Sequence, residues 1–142
     1  MPQIRRSALV SYSARQMYDL VNDVAHYPEF LPGCAGAEVL EFSGEKMLAS
    51  VNVSKAGISK TFITANTLES GTSILMELVD GPFQHLRGGW YFTELDEYAC
   101  KVELKLEFEF SSRLIELAFG KVFNELTNNM VTAFTRRAKQ VY

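Results

Sequence analysis

The sequence is poor in the residues that most often carry chemistry. Among 142 residues there are two cysteines, two histidines and one tryptophan. Cys34 and Cys100 lie far apart and match neither a zinc spacing nor a C-x-x-C redox pair. They read as buried free thiols in a reducing compartment. His26 and His85 have no H-x-x-x-H partner and no nearby cysteine, so no metal centre is expected. There is no G-x-x-x-x-G-K-[ST] or G-x-G-x-x-G phosphate loop and no G-x-S-x-G nucleophile elbow. Nor is there an excess of positive charge. Lys+Arg number 14 against 17 Asp+Glu, a net charge of −3 and a pI near 5.4. That excludes DNA binding by a global attractive field. No apolar run approaches the ~18 residues of a membrane span. The apolar stretch Ala8 to Val10 is far shorter than the ~7–15 residues of a signal peptide. A cytoplasmic protein is expected, with peripheral contact at the inner membrane as its nearest approach to lipid.

What is present is ordinary globular composition, 47% hydrophobic and 22% charged. The length fits a single domain, residues 1–142, large enough to bury a core without staples. The four prolines, Pro2, Pro28, Pro32 and Pro82, punctuate the periodic segments without entering them. Residues 3–11 read as a strand and 14–24 as a helix. Ser13 and Gln16 have capping-box spacing, and Met17, Leu20, Val21 and Val24 form one apolar stripe. A short helical turn is expected around Glu29 to Leu31. Further strands are expected at 37–43, 46–54, 58–68, 73–80, 85–95 and 99–110. Short turns at Ser43-Gly44, Ala56-Gly57, Ser70-Gly71 and Asp80-Gly81-Pro82 separate five of them, and connections this short make antiparallel hairpins.

The last strand alternates without a break. Val102, Leu104, Leu106, Phe108 and Phe110 share one face; Lys101, Glu103, Lys105, Glu107 and Glu109 share the other. Residues 112–141, capped by Ser111 or Ser112, supply a helical cover of about eight turns, roughly 45 Å. Its apolar stripe runs through Ile115, Phe119, Val122, Phe123, Leu126, Met130, Ala133, Phe134, Ala138 and Val141. One helix cannot cover a flat sheet of that width. The expected fold is therefore α+β, a curved antiparallel six- to seven-stranded sheet wrapped around a long C-terminal helix, with one or two short helices after the first strand. Gly88-Gly89 inside a strand permits the bend. A curled sheet around one helix tends to leave a gap between them.

Candidate sites follow from that gap and from charge. No catalytic residue is expected. Glu103, Glu107 and Glu109 read as a solvated face and Asp80 as a turn former, and neither setting desolvates a carboxylate enough to make it an acid or base. Inward apolar positions are candidates both for plain core and for the wall of a hydrophobic ligand site. They are Val51, Val53, Phe62, Met76, Leu78, Trp90, Phe92, Leu106, Phe108, Phe119, Phe123 and Met130. Arg136, Arg137 and Lys139 either complement the helix C-terminal dipole or form a contact patch for RNA or anionic lipid headgroups.

Several blocks in fixed order carry a resemblance. They are Tyr27-Pro28-Glu29-Phe30-Leu31-Pro32-Gly33-Cys34, Val53-Ser54-Lys55-Ala56-Gly57-Ile58-Ser59-Lys60-Thr61-Phe62 and Leu78-Val79-Asp80-Gly81-Pro82-Phe83. Gly88-Gly89-Trp90-Tyr91-Phe92, Phe108-Glu109-Phe110 and Leu114-Ile115-Glu116-Leu117-Ala118-Phe119-Gly120 continue them. Over essentially its whole length the chain resembles the START-like, helix-grip superfamily. Within it, the chain is similar to the bacterial ribosome-association toxins, whose relatives include mitochondrial coenzyme Q-binding proteins. The resemblance implies a sheet gripping the long helix and a hydrophobic tunnel for ubiquinone or a similar isoprenoid lipid, with no cofactor required. It also implies binding to the large ribosomal subunit that blocks subunit joining and translation initiation. A cyclase or aromatase of the same superfamily is the alternative.

Overall fold

The computed structural model describes residues 3–55 and 57–142. Of the expected Ala56-Gly57 turn, Ala56 lies outside the described residues and Gly57 takes a left-handed φ of +81°. Strand β1 (Gln3–Val10) leads into helix α1 (Ala14–Asn22) and a 3-10 helix (Val24–Glu29). Six strands follow: β2 (Cys34–Phe42), β3 (Lys46–Lys55), β4 (Ile58–Glu69), β5 (Ser73–Asp80), β6 (Phe83–Asp96) and β7 (Ala99–Phe110). Helix α2 (Arg113–Val141) closes the chain. All seven strands form one antiparallel sheet in the order β1-β7-β6-β5-β4-β3-β2. Among the described residues no helix is long and apolar enough to cross a membrane.

Local chemistry explains most boundaries. The Ser13 hydroxyl accepts from the Gln16 amide at 3.0 Å, and the Gln16 side chain accepts from the Ser13 amide at 2.9 Å, completing the capping box. Ser112 Oγ accepts from the Ile115 amide at 3.1 Å and starts α2. The alternation of β7 buries Val102, Leu104, Leu106, Phe108 and Phe110 against α2, while its charged residues face outward.

The sheet curls where β6 carries Gly88-Gly89. Gly88 has φ +154°, and a Cβ there would sit 2.0 Å from the Lys105 carbonyl oxygen and 2.8 Å from the Leu106 Cα. Only glycine lets β6 and β7 approach that closely.

Three expectations shift. The helical turn expected at Glu29 to Leu31 comes earlier, at Val24–Glu29, and α1 stops at Asn22. The Tyr27 hydroxyl donates to the Val21 carbonyl and folds this segment back onto α1. In a 3-10 helix residues i and i+3 eclipse, so Val24 and Tyr27 bury together. Strands β2 and β6 start earlier than expected, at Cys34 and Phe83, because register shifts between Cys34 and Gly36 and between Phe83 and His85 break the alternation there. Val141 leaves the apolar stripe and is 47% exposed. The helix end instead docks through Tyr142, whose hydroxyl donates to the Gln16 carbonyl at 2.7 Å.

Candidate functional site

A cavity lies between α2 and the concave face of the sheet. Period-2 spacing brings Ala49 and Val51 of β3, Phe62, Thr64 and Asn66 of β4, and Leu104 and Leu106 of β7 to its wall. Met76 of β5 and Leu86 and Trp90 of β6 complete the sheet side. Helical spacing supplies Phe123, Leu126, Thr127 and Met130 from α2. Val24, Tyr27 and Leu31 close one end. The void offers the centre of a water-sized sphere about 70 Å3. One water needs ~10–15 Å3 on this measure, so the space is that of roughly five to seven waters. Sites for drug-sized ligands run ~300–1,000 Å3. The cavity as it stands takes one small group; a longer isoprenoid requires α2 and the sheet to part.

Seven of the twelve residues expected to form the wall reach it: Val51, Phe62, Met76, Trp90, Leu106, Phe123 and Met130. The other five do not. Phe108 and Phe119 belong to a ring cluster beyond the cavity, with Phe83, Phe110 and Phe123. Phe92 packs edge-on against Tyr18 of α1, centroids 5.8 Å apart. Val53 is buried where Ser54 donates to the Gly33 carbonyl, so the 31–34 turn covers it. Leu78 packs beside the Gly81 turn. The four strand residues among them have inward parity, and Phe119 lies on the inward stripe of α2, but each meets other protein groups and not the void.

The polar members of the wall were not expected. Thr64, Asn66 and Thr127 are buried. Thr64 Oγ1 donates to Asn66 Oδ1 at 2.8 Å, and Thr127 Oγ1 donates to the Phe123 carbonyl at 3.0 Å. The sequence holds the signal: Phe62, Thr64, Asn66 and Leu68 share one parity on β4, so two polar residues had to face inward. The wall carries no Asp, Glu, Lys, Arg or His. Its one titratable group, the Tyr27 phenol, is pushed up by burial and stays protonated. The lining can bind a neutral molecule but offers no proton donor and acceptor pair near neutral pH.

The basic end of α2 divides. Arg136 and Lys139 are exposed. The Arg137 side chain is only 19% exposed; its guanidinium lies 3.2 Å from a Glu29 carboxylate oxygen and 5.0 Å from the centroid of the Phe30 ring. Arg137 thus fastens α2 to the 3-10 helix. Asp19, Asp23 and His26 line the adjoining groove, so this end is not uniformly cationic. Among the described residues no group of three His, Cys, Asp or Glu could hold a metal ion.

Comparison with known proteins bears on both regions. The family model for polyketide cyclase, dehydrase and lipid transport matches residues 10–135. The chain is 75% identical to the ribosome association toxin RatA of Vibrio cholerae serotype O1, over 100% of this chain and 99% of that protein. It is 27% identical to the mitochondrial coenzyme Q-binding protein COQ10 homolog B of Xenopus laevis, over 96% of this chain and 57% of that one. Among solved structures, a START superfamily protein from Mycobacterium smegmatis superposes with a TM-score of 0.82 at 20% identity, covering 99% of both chains.

Proposed function

We propose, from the premise that this chain belongs to the polyketide cyclase, dehydrase and lipid transport family and within it to the ribosome association toxins, that it associates with the large ribosomal subunit and holds back subunit joining. The observation that supports this is 75% identity over the full length to a protein named for ribosome association. The net charge of −3 makes a global field an unsuitable attractor, so contact with the ribosome is local. Of the cations on the end of α2, Arg136 and Lys139 are the exposed pair, while Arg137 serves the fold. Overexpression should lower the 70S fraction and raise free subunits in sucrose gradients, and Arg136→Glu with Lys139→Glu should weaken the effect. Unchanged gradients on overexpression would refute the reading.

A second reading, compatible with the first, concerns the cavity. It holds a neutral apolar molecule, ubiquinone or a similar isoprenoid lipid, and the protein acts as a carrier. The cavity wall favours this, and so does the relative named as a coenzyme Q-binding protein. Apolar burial at ~25 cal/mol per Å2 supplies affinity with few polar contacts. Binding without catalysis is the role that suits such a wall. Both activities belong to a cytoplasmic protein, with peripheral membrane contact where ligand is exchanged. Purification without detergent, organic extraction and mass spectrometry test it. Stoichiometric quinone supports it; a protein that carries none and takes up none on incubation refutes it.

A further inference from the structure

The cavity wall is largely apolar, with Thr64, Asn66 and Thr127 as its buried polar residues. Asn66 sits mid-strand on β4, paired across the sheet with Met47 and Met76, so its neighbours on both sides are sulfur and methylene. Its side chain is 5% exposed and lines the void. One head of the amide is held by Thr64, at 2.8 Å. The remaining head, the NH2, is not engaged by Thr64 and is open to a molecule in the void. An asparagine held by a buried threonine and aimed into a void large enough for several waters has the form of a recognition group.

We infer that Asn66, oriented by Thr64, is the specificity-determining residue of the cavity and selects neutral ligands that bear a carbonyl oxygen. The inference rests on the ligand-binding reading above. The chemistry follows from the lining. With the Asn66 carbonyl occupied by the Thr64 hydroxyl, the amide NH2 is the head that faces the void, and it donates. A carbonyl oxygen is its natural partner. Across the cavity, the Thr127 hydroxyl spends its proton on the Phe123 carbonyl and is not free to donate to a ligand. A carboxylate is disfavoured, because no Lys, Arg or His lines the wall to balance it. A plain hydrocarbon fits the apolar wall but leaves Asn66 dry and unpaired. Fatty acids and alkanes are thereby ranked below quinones, ketones and esters.

The test uses Trp90, the single tryptophan of the chain, which lines the same cavity and reports its occupancy. Its fluorescence is titrated in the purified full chain with decylubiquinone and with decylbenzene, which carries the same tail and no carbonyl. Wild type should bind decylubiquinone at least tenfold tighter, equivalent to 1.4 kcal/mol. Asn66→Leu should bring the two affinities within about threefold and leave decylbenzene binding unchanged or tighter, the yield expected of one hydrogen bond. Should Asn66→Leu not fold, Thr64→Val and Asn66→Ser carry the same comparison, each reducing the preference. A preference that survives in every folded variant overturns the role of Asn66 while the carrier reading stands. A wild type that binds neither probe overturns both.

Discussion

Phe123 is the residue on which the cavity and the core both lean. It is 1% exposed, lines the void and packs against Phe83 at 4.9 Å and Phe108 at 5.0 Å between ring centroids. Phe119, Phe62 and Phe110 complete its surroundings at 5.9 to 6.0 Å. Phe123→Ala removes a buried aromatic side chain whose transfer to the core contributes about 2 kcal/mol. It also leaves a hole of roughly 100 Å3, which at about 24 cal/mol per Å3 adds ~2.4 kcal/mol. The expected loss is ~4 kcal/mol. With a urea m value near 2 kcal/mol per molar, the unfolding midpoint followed by Trp90 emission should fall by about 2 M. Because the new hole merges with the existing void, an apolar guest such as benzene should refill it. At a hundred times its dissociation constant the guest returns about 2.7 kcal/mol. A loss under about 1 kcal/mol would show that α2 collapses onto the sheet, and with it that the packing around the void is not rigid. A full loss with no response to the guest would show that the hole and the cavity are not continuous.

Three further outcomes follow from the geometry. Gly88→Ala sets a Cβ 2.0 Å from the Lys105 carbonyl, so β6 and β7 must part; thermal unfolding should show a loss of ~3 kcal/mol or more, and a melting temperature within about 2 °C of wild type, a loss under roughly 1 kcal/mol, would refute it. Gly120→Ala should instead stabilise α2 by up to ~1 kcal/mol, because a Cβ there meets the Phe110 ring at an ordinary 3.6 Å; a lower melting temperature would contradict this. His26 is held above the usual histidine value by its hydrogen bond to Asp23 at 2.7 Å, then by the Asp23 charge and, less, by Glu29. Its folded value lies above its unfolded one, so its contribution is complete below about pH 6.5 and disappears as pH rises through the raised value. His26→Gln should flatten the decline of the urea midpoint on the alkaline side of pH 6.5; parallel profiles would refute the assignment.

Alternation made β7 legible to the residue, because its faces differ in every second side chain, while β5 was bounded by the turn residues Ser70-Gly71 and Asp80-Gly81-Pro82 on either side. Parity gave direction but not depth. Val51 and Val53 share the inner face of β3, yet Val51 borders the void and Val53 lies under the 31–34 turn. Only the path of that turn separates them, and no local pattern encodes it. The same holds for the cations of α2. Arg136, Arg137 and Lys139 form one basic cluster in sequence, but Glu29 and Phe30 reach across from the 3-10 helix and take one of the three. Asn66 and Thr64 were within reach of the parity argument. They were missed because a search for apolar wall residues passes over polar ones on the same face.

The pairing of β1 with β7 carries a consequence for how the chain assembles. β1 is synthesised first, yet its partners run from Cys100 to Glu107, so it has no neighbour until all six other strands exist. The hairpins from β2 to β7 close locally and in sequence, but the concave face they build is made before the helix that covers it. Long-range closure is slow because the chain pays loop entropy before the contact is gained. During synthesis a nascent molecule therefore exposes both an unpaired strand and the apolar floor of its own cavity, and α2 is the element that ends that exposure. Slowing the docking of α2, more than weakening any single strand, should turn this sequence toward aggregation.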